Sequence, residues 1–404
     1  MVQLLKKGFA ALVAVLVGIT AFAQVTTSSL NGKVTDANGA AVPGAAVVAV
    51  HIPSGTQYYA VVNAEGRYAI NGMRSGGPYK VEVSCLGYQA VTFTDVTLQL
   101  AEAYNLNAKL NDDTQMLSEA VVVSTANSKF AVEKTGAATN INNAQITALP
   151  TVSRSITDVT RLSPYGGNGM SFAGTDGRTA NFTVDGANFN NNFGLSEKLP
   201  GGGSPISIDA IEELQVVISP YDVRQTDFIG GGVNAITKSG TNTFKGSAYV
   251  YHRNENMRGN TVDGTEIAGA RDKDRNTTYG FTFGGPIIKN KLFFFVNGEL
   301  DRQDEPISNR LADSRVSAAD LDDLAKFLGD QFNYNPGGYD LSKTETRADR
   351  LTARIDWNIN DRNTFSLKYY YLKSYNTNAP STSGAPANGR GPNAYAMPFS
   401  SSYY

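Results

Sequence analysis

Apolar and polar residues alternate through the segment Arg350–Tyr371, which has the sequence RLTARIDWNINDRNTFSLKYYY. The apolar positions are Leu351, Ala353, Ile355, Trp357 and Ile359, followed after the polar stretch NDRN by Phe365, Leu367, Tyr369 and Tyr371. This period of two predicts a pair of β-strands joined by a tight turn. The pattern leaves two environments open, because a soluble sandwich buries the apolar face whereas a membrane barrel turns it towards lipid.

The N-terminus has the pattern of a secretory signal peptide, which we predict over residues 1–23. Lys6 and Lys7 precede an apolar run, and the small residues Ala21 and Ala23 mark a cleavage position before Gln24. No cysteine stands directly after this position, so we expect no lipid anchor on the mature chain. No later apolar run reaches the roughly 18 residues of a transmembrane helix. If the mature chain enters a membrane, it must do so as strands.

Short alternating segments separated by glycine turns fill residues 24–110 and predict a small β-sandwich. The stretches GKVTDANGAAVPGAAV, NAEGRYAI and YKVEVSCLGY resemble the turn and strand motifs of the carboxypeptidase regulatory-like domain. This domain type is similar to carbohydrate-binding sandwiches and is usually not catalytic. Tyr58, Tyr59, Tyr68 and Tyr79 could stack on sugars, but core or cross-strand packing is the commoner role of such residues and is the one we predict.

Composition excludes several functional classes. The net charge is -2 and 18% of the residues are charged, against roughly 25% in ordinary soluble domains. Because no basic block occurs, we predict no nucleic-acid partner. The single cysteine, Cys85, excludes an internal disulfide and is predicted to be a small apolar residue in a strand.

Candidate catalytic and metal-binding motifs are incomplete in this sequence. His51 and His252 lie far apart without other ligands at metal-binding spacing. The stretch DKDRN at 272–276 lacks the glycine and glutamate of a calcium loop. The glycine runs 201–203 and 230–232 lack phosphate-loop residues, so we predict hinges and turns there. We therefore predict no metal, no cofactor and no enzymatic activity.

Residues 111–240 resemble the plug of TonB-dependent outer-membrane receptors. The stretch FTVDGANFNN carries the family's Asp-Gly turn at Asp185 and Gly186, IEELQVVISP matches a late helix–strand unit, and GGGVNAITKSGTN matches the exit into the barrel. We therefore predict a linker over residues 111–126 and a plug over residues 127–240. The resemblance places a TonB-contact segment in this linker, at Ser118, Glu119, Ala120, Val121, Val122 and Val123. A permanent strand of the sandwich or plug is the alternative for this β-prone string.

Residues 241–404 resemble the first barrel strands of the Oar-like subgroup of these receptors. The most specific stretch is Gly284–Ile288, which we predict to form a hairpin. In this frame the apolar face of the Arg350–Tyr371 segment meets lipid, and Trp357, Tyr369 and Tyr371 suit an aromatic girdle. Between strands, Ser317 and Asp320 predict the start of a short loop helix that ends at Gly329 and carries Leu321, Leu324 and Leu328 on one face.

Together these sections predict a mainly β protein, with a small β-sandwich, then an α+β plug, then the first strands of a transmembrane antiparallel β-barrel. The resemblance implies a receptor that binds an extracellular glycan, peptide or other large solute and imports it with energy from the TonB–ExbB–ExbD complex. It implies the outer membrane of a Gram-negative bacterium, contact with membrane lipid, a periplasmic sandwich and plug, and room for a surface lipoprotein partner. A surface carbohydrate-binding or adhesion protein without transport is the alternative.

The predicted barrel is too short to close. Large plugged transporters have about 22 strands of roughly 9–11 residues, which require on the order of 200 residues before any loop. Residues 241–404 cannot supply them, and an open arc in lipid would leave unpaired main-chain groups at several kcal/mol each. Either the chain is the N-terminal part of a longer receptor, which is what we expect, or the missing strands come from elsewhere.

Overall fold

The computed structural model describes residues 25–112, 121–124, 137–149, 151, 153–190, 199–219, 225–267, 271–307, 316–337, 343–360, 363–378 and 400–403. The predicted signal peptide lies outside these residues. Within the described part of the chain, no helix combines the length and the apolar composition needed to cross a membrane.

The N-terminal section forms two facing sheets. Its strands are β1 (Ser28–Thr35), β2 (Ala46–His51), β3 (Thr56–Val61), β4 (Arg67–Met73), β5 (Gly76–Ser84), β6 (Val91–Leu98), β7 (Ala103–Asn105), β8 (Ala108–Lys109) and β9 (Val121–Ser124). One sheet has the order β4-β1-β7, with β8 also paired to β1, and the other has the order β3-β2-β5-β6-β9. The predicted β-sandwich is confirmed, and a segment from the predicted linker adds the last strand.

Alternating apolar residues from both sheets make the sandwich core. Tyr79 is fully buried and Tyr68 is 5% exposed, and the Tyr68 hydroxyl donates to Leu106 O. Tyr58 packs against the same core from its edge, whereas Tyr59 is half exposed. The prediction that these tyrosines serve packing is therefore confirmed for three of the four, because only Tyr59 presents its ring to solvent.

The predicted plug contains a five-stranded sheet, called here the plug sheet. Its elements are β10 (Ala137–Asn142), α1 (Asn143–Ala148), α2 (Ile156–Thr160), β11 (Asn181–Val184), β12 (Ala187–Asn188), β13 (Ile211–Ser219) and β14 (Gly232–Thr237). The strand order is β10-β13-β14-β11-β12. A two-residue turn joins β11 to β12, and its residues Asp185 and Gly186 have φ of 50° and 86°. Such a turn needs positive φ at both positions, which explains Asp followed by Gly.

The C-terminal section forms a six-stranded antiparallel sheet, called here the barrel wall. Its elements are β15 (Lys245–Asn254), the side hairpin β16 (Thr261–Val262) and β17 (Thr265–Glu266), β18 (Arg275–Ile288), β19 (Leu292–Pro306), α3 (Ala318–Phe332), β20 (Lys343–Asn360), β21 (Asn363–Asn378) and β22 (Ser400–Tyr403). The wall has the order β15-β18-β19-β20-β21-β22. The stretch Gly284–Ile288 is the end of β18, so the turn of this hairpin lies beyond it, between β18 and β19.

The barrel wall answers the question raised by the Arg350–Tyr371 alternation. On β20 and β21 the apolar side chains are exposed, including Ile355 at 40% and Leu367 at 56%. The intervening polar side chains are buried, including Thr352 at 2% and Asp356 at 2%. A soluble sandwich has the reverse arrangement, so the predicted barrel-type face is confirmed.

The loop helix α3 begins as predicted and ends later. The Ser317 side chain accepts from Asp320 N, and the Asp320 carboxylate accepts from Ser317 N, which completes a capping box. The helix passes Gly329 and ends at Phe332, where Asn333 adopts φ 50° and donates to Gly329 O. Asparagine tolerates this left-handed conformation, so it replaces glycine as the C-terminal signal.

Candidate functional site

The Asp185–Gly186 turn brings a buried carboxylate of the plug against the barrel wall. Asp185 Oδ1 lies 3.0 Å from Lys368 Nζ on β21 and 4.0 Å from Arg354 Nη1 on β20. Asp185 Oδ2 accepts hydrogen bonds from the hydroxyls of Thr237 and Tyr370. Burial by itself would raise the pKa of Asp185, but the two cations and these hydrogen bonds outweigh it and hold the pKa below its usual range. Asp185 is therefore ionised, and its carboxylate anchors the plug turn to the barrel wall.

A second cluster joins all three sections of the chain. Arg354 donates two hydrogen bonds to the Asp356 carboxylate, at 2.8 Å and 3.0 Å, and donates from Nη1 to Thr237 O of the plug at 2.7 Å. Ser239, at the exit from the plug, donates to Asp356 Oδ2 at 2.8 Å. Arg74 of the sandwich donates to Ser239 Oγ at 2.7 Å and lies 3.9 Å from Asp356. Sandwich, plug and wall therefore share one network of charge-assisted hydrogen bonds.

A third cluster binds the plug, at the glycine run 201–203, to a position of the wall nearer the start of β20. Arg350 donates to Gly201 O and Ser204 O at 2.6 Å each, and pairs with Glu299 of β19 at 2.9 Å. The other Glu299 oxygen accepts from Ser207 Oγ at 2.8 Å. The three glycines have φ between 72° and 104°, as in the turn that we predicted there. This turn exposes carbonyl oxygens that the guanidinium can bind.

The sandwich contacts the plug sheet through main-chain atoms of Leu100. Leu100 N donates to Glu213 Oε1 at 3.0 Å, and Leu100 O accepts from Gln215 Nε2 at 2.8 Å and from Asn140 Nδ2 at 3.2 Å. A further plug amide, Asn234, donates to Val25 O at 2.8 Å. The plug therefore presents polar side chains to a loop and a terminus of the sandwich.

Glu213 is the buried carboxyl group of this contact. It is 4% exposed, and burial raises its pKa to about 7 although the hydrogen bond from Leu100 N opposes the shift. The neighbouring carboxyls of Glu212 and Glu102 add to the increase. Close to neutral pH, the Glu213 carboxyl group therefore changes between its protonated and its ionised form.

The predicted TonB-contact segment divides at the limit of the described residues. Ser118, Glu119 and Ala120 lie outside them. Val121, Val122 and Val123 belong to β9, which pairs in parallel with β6 from Val91 to Thr94. This pairing is the strand alternative that the sequence left open, and it puts the segment at one end of a sandwich sheet.

Neither histidine takes part in these clusters. His51 is buried in the sandwich, where its Nδ1 lies 2.6 Å from Ser54 Oγ, and burial and the charge of Arg74 lower its pKa to about 3. His252 Nδ1 lies 2.8 Å from Thr277 Oγ1 on the barrel wall. Among the described residues, no group of three or more His, Cys, Asp or Glu side chains could hold a metal ion.

Asp185 and Gly186 were predicted from the sequence, but the wall residues that bind the plug were not. Arg350, Arg354 and Lys368 all occupy polar positions of the alternating hairpin, so the pattern already placed them on the face away from lipid. Charged residues there are a signal of contact with a plug or a polar lumen. No local pattern identifies which plug atoms they bind.

Comparison with known proteins agrees with this architecture. Residues 29–111 match the family described as carboxypeptidase regulatory-like domain, and residues 236–323 match the outer membrane beta barrel domain. The chain is 25% identical to the TonB-dependent transporter Oar of Myxococcus xanthus over 376 residues, covering 87% of the chain and 34% of that protein. The chain thus spans about a third of the length of this curated relative.

Two solved structures are also similar to the chain. The siderophore receptor PirA from Acinetobacter baumannii is 19% identical, with a TM-score of 0.41 over 64% of this chain and 35% of the receptor. The outer membrane transporter YddB from Escherichia coli is 14% identical, with a TM-score of 0.42 over 61% of this chain and 34% of the transporter. The barrel-domain match and the relationship to Oar indicate the outer membrane of a Gram-negative bacterium. The chain is thus similar to the TonB-dependent transporter Oar over about a third of that protein, and it contains a carboxypeptidase regulatory-like domain and part of an outer membrane beta barrel domain.

Proposed function

We propose that the protein is an outer-membrane receptor that binds an extracellular solute and imports it with energy delivered by TonB and its ExbB–ExbD partners. The observation that carries the proposal is the polar character of the plug's attachment to the wall at Asp185 and Arg350. Ion pairs and hydrogen bonds can be exchanged for bonds to water or solute when the plug moves, whereas an apolar interface would have to expose its surface. A plug attached in this way can be displaced without unfolding the wall. We propose no catalytic role.

We propose that the side of the wall with short turns faces the periplasm. The β18–β19 turn is three residues long, Lys289–Lys291, whereas the β19–β20 connection carries a 15-residue helix. Outer-membrane barrels have short periplasmic turns and longer extracellular loops. The sandwich contacts the short-turn side, since Asn358 Nδ2 donates to Thr56 Oγ1 at 2.9 Å and Asn242 N donates to Pro53 O at 2.8 Å. This orientation puts the sandwich and the predicted TonB segment in the periplasm.

The segment Ser118–Val123 is the proposed TonB contact. Its described part, in β9, is the last strand of its sheet, so one edge pairs with β6 and the other can accept a partner strand. Strand addition depends mainly on main-chain hydrogen bonds, so many side chains suit it. TonB could add to the outer edge of β9 or replace β6 as its partner.

Uptake measurements test the transport proposal against the adhesion alternative. Cells that express the complete protein are given a radiolabelled solute, found by screening glycans and peptides, with and without a protonophore. We expect surface binding in both conditions but accumulation only when the proton gradient is intact. Equal accumulation in both would overturn energised transport, and binding without any accumulation would support adhesion.

A proline substitution tests the TonB segment. Val122→Pro removes a main-chain donor and fixes φ, so it should abolish accumulation while solute binding and membrane insertion persist. Val122→Ala retains the main-chain donor and should transport normally, which makes it the matched control. Normal transport by Val122→Pro would exclude the segment as the contact, and so would misfolding of this variant.

A further inference from the structure

A groove with a volume of about 760 Å³ crosses the outer face of the sandwich sheet β4-β1-β7. Leu30 and Val34 of β1 and Leu106 after β7 face the sandwich core. Their neighbours along the chain therefore point outward, because successive side chains of an extended chain alternate between faces. We call this feature the sandwich groove, and its polar lining includes Asn31, Lys33, Asn63, Arg67, Asn105 and Asn107.

Two basic side chains lie next to each other in the sandwich groove. Lys33 of β1 and Arg67 of β4 pair in register across the antiparallel ladder, and both are exposed. Residues paired in this way have Cβ atoms about 5 Å apart, and like charges there destabilise the sheet. Within the described part of the chain, neither side chain has an ion-pair partner. The two charges are therefore available to an anion from outside the chain.

Asparagine side chains beside the two cations are oriented by the main chain. Asn107 Oδ1 accepts from Lys33 N at 2.8 Å, and Asn63 Oδ1 accepts from Arg67 N at 2.7 Å. The Nδ2 atoms of both asparagines make no hydrogen bond to any residue that the structure describes. The sandwich groove therefore combines two cations with amide donors whose positions are fixed.

The sandwich groove lies far from the contacts of the sandwich with the plug and the wall. Those contacts involve the opposite ends of the same strands, since Val25, which precedes β1, accepts from Asn234, and Arg74, which follows β4, donates to Ser239. A strand rises about 3.3 Å per residue, so Lys33 and Arg67 are about 25 Å from these ends. A ligand can therefore occupy the groove without displacing the plug or the wall.

We propose that the sandwich groove binds an extended acidic segment of a partner protein in the periplasm. The periplasmic location rests on the membrane orientation given under the proposed function. One carboxylate of the segment lies between Lys33 and Arg67, and the guanidinium binds it with two parallel donors. The main chain of the segment meets the asparagines, because a side-chain amide offers the same donor and acceptor groups as a peptide bond.

A peptide fits the lining of the sandwich groove better than a glycan does. Tyr68 supplies the one aromatic ring among the lining residues, and it is 5% exposed with its hydroxyl donating to Leu106 O. No ring in the lining is therefore open to stack on a sugar. An extended peptide instead places every second side chain on the same side, about 7 Å apart, so alternate carboxylates can face the cations.

Peptide binding by the complete protein in detergent tests this inference. The probes are a labelled peptide in which serine and glutamate alternate, the same peptide with glutamine in place of glutamate, and oligogalacturonate as an acidic glycan. Fluorescence anisotropy measures the three affinities. We expect the acidic peptide to bind at least fivefold more tightly than the glutamine peptide at low salt and more tightly than the glycan. The preference for the acidic peptide should decrease with increasing salt.

Two variants and a control locate the site. Lys33→Gln/Arg67→Gln should reduce the preference to less than about twofold, and it should unfold at no lower urea concentration than the wild type because a like-charge pair is removed. Asn107→Asp keeps an acceptor for Lys33 N and adds a negative charge, so it should also weaken binding of the acidic peptide. It decides the question if the double variant is unstable. Lys289→Gln/Lys291→Gln removes the same charge outside the groove and should retain the full preference.

Several outcomes would overturn the inference. They are equal binding of the two peptides, an unchanged preference in both groove variants, or tighter binding of the glycan than of the acidic peptide. The last result would assign the groove to acidic sugars. None of these measurements uses transport, so peptide binding can fail while energised uptake holds. Uptake can likewise fail the protonophore test while peptide binding persists.

Discussion

The Asp185 carboxylate lies 3.0 Å from the Lys368 ammonium, and the two groups belong to different sections of the chain. Asp185 occupies a two-residue turn of the plug sheet, whereas Lys368 is in the middle of β21 on the barrel wall. Both are shielded from water, with side-chain exposures of 2% and 21%. Removal of either partner leaves a buried charge without its counter-charge, which is the most costly kind of electrostatic change in a folded protein.

Asp185→Asn should loosen the plug from the wall. The amide keeps the shape of the side chain but leaves Lys368 and Arg354 without their shared carboxylate, so we expect a destabilisation of about 3 kcal/mol. Urea-dependent release of the plug, followed by its protease sensitivity, measures this change. Asp176→Asn is the matched control, since Asp176 pairs with Arg178 on the exposed surface and the substitution should leave stability almost unchanged.

A double-mutant cycle separates the pair from its surroundings. Asp185→Asn combined with Lys368→Met should cost less than the sum of the single changes, with a coupling of about 1–3 kcal/mol. Additive effects would mean that the two side chains do not stabilise each other.

Arg350→Lys should also release the plug, at the glycine run 201–203. Lysine presents a single ammonium where the guanidinium binds Gly201 O, Ser204 O and Glu299 together, so at least one of these buried acceptors loses its donor. We expect a loss of about 1–3 kcal/mol, measured by the same urea assay. Arg178→Lys, at the exposed pair with Asp176, should have almost no effect. If the two substitutions have equal effects, the Arg350 contacts do not hold the plug.

The contact between sandwich and plug should weaken as the pH rises. The pKa of Glu213 is about 7 in the folded protein, above the ordinary value of 4.5, so the folded state binds the proton more tightly than the separated state. Stability is therefore unaffected below pH 4.5, falls as the pH rises to 7, and above pH 7 has lost about 3 kcal/mol to the buried charge. Hydrogen exchange at Leu100 and β13, corrected for intrinsic rates, should report earlier opening at pH 8 than at pH 5.5.

Glu213→Gln tests the cause of this pH dependence. The glutamine carbonyl can still accept from Leu100 N but carries no charge, so exchange at the contact should become independent of pH and slower than in the wild type at pH 8. A variant with the wild-type pH dependence would assign the effect to another group, such as Glu212 or Glu102.

Ile355→Arg should impair insertion of the barrel wall into the membrane. Ile355 is 40% exposed on the outward face of β20, and an arginine at the bilayer midplane costs about 2–4 kcal/mol in outer-membrane barrels. The fraction of protein recovered in outer membranes, compared with the fraction in aggregates, measures the effect. Ile52→Arg changes a side chain that is 53% exposed on the sandwich and should insert normally. If Ile355→Arg inserts as well as Ile52→Arg does, the β20 face is not in contact with lipid.

The order of the sections and the type of most elements were determined by the sequence alone. Alternation with a period of two fixes which residues of β20 share a face, because successive strand side chains point to opposite sides regardless of their surroundings. The Asp-Gly pair likewise predicts its own turn, because tolerance of positive φ depends on the residue itself and not on its surroundings. The capping box of α3 is also a local signal, so it could be predicted from Ser317 and Asp320.

Only the tertiary structure decided what those faces and turns contact. Asp185 and Lys368 are 183 positions apart by number, and neither carries a local signal for the other. The sequence suits Lys368 equally well to a polar lumen, a plug or solvent. Only the position of the plug turn beside it decides among these. Glu213 and Leu100 meet in the same way, across two domains, and the pKa of Glu213 is raised mainly by the burial that results. Val121–Val123 has strand propensity in any setting, but its pairing with β6 depends on a neighbour that local sequence cannot specify.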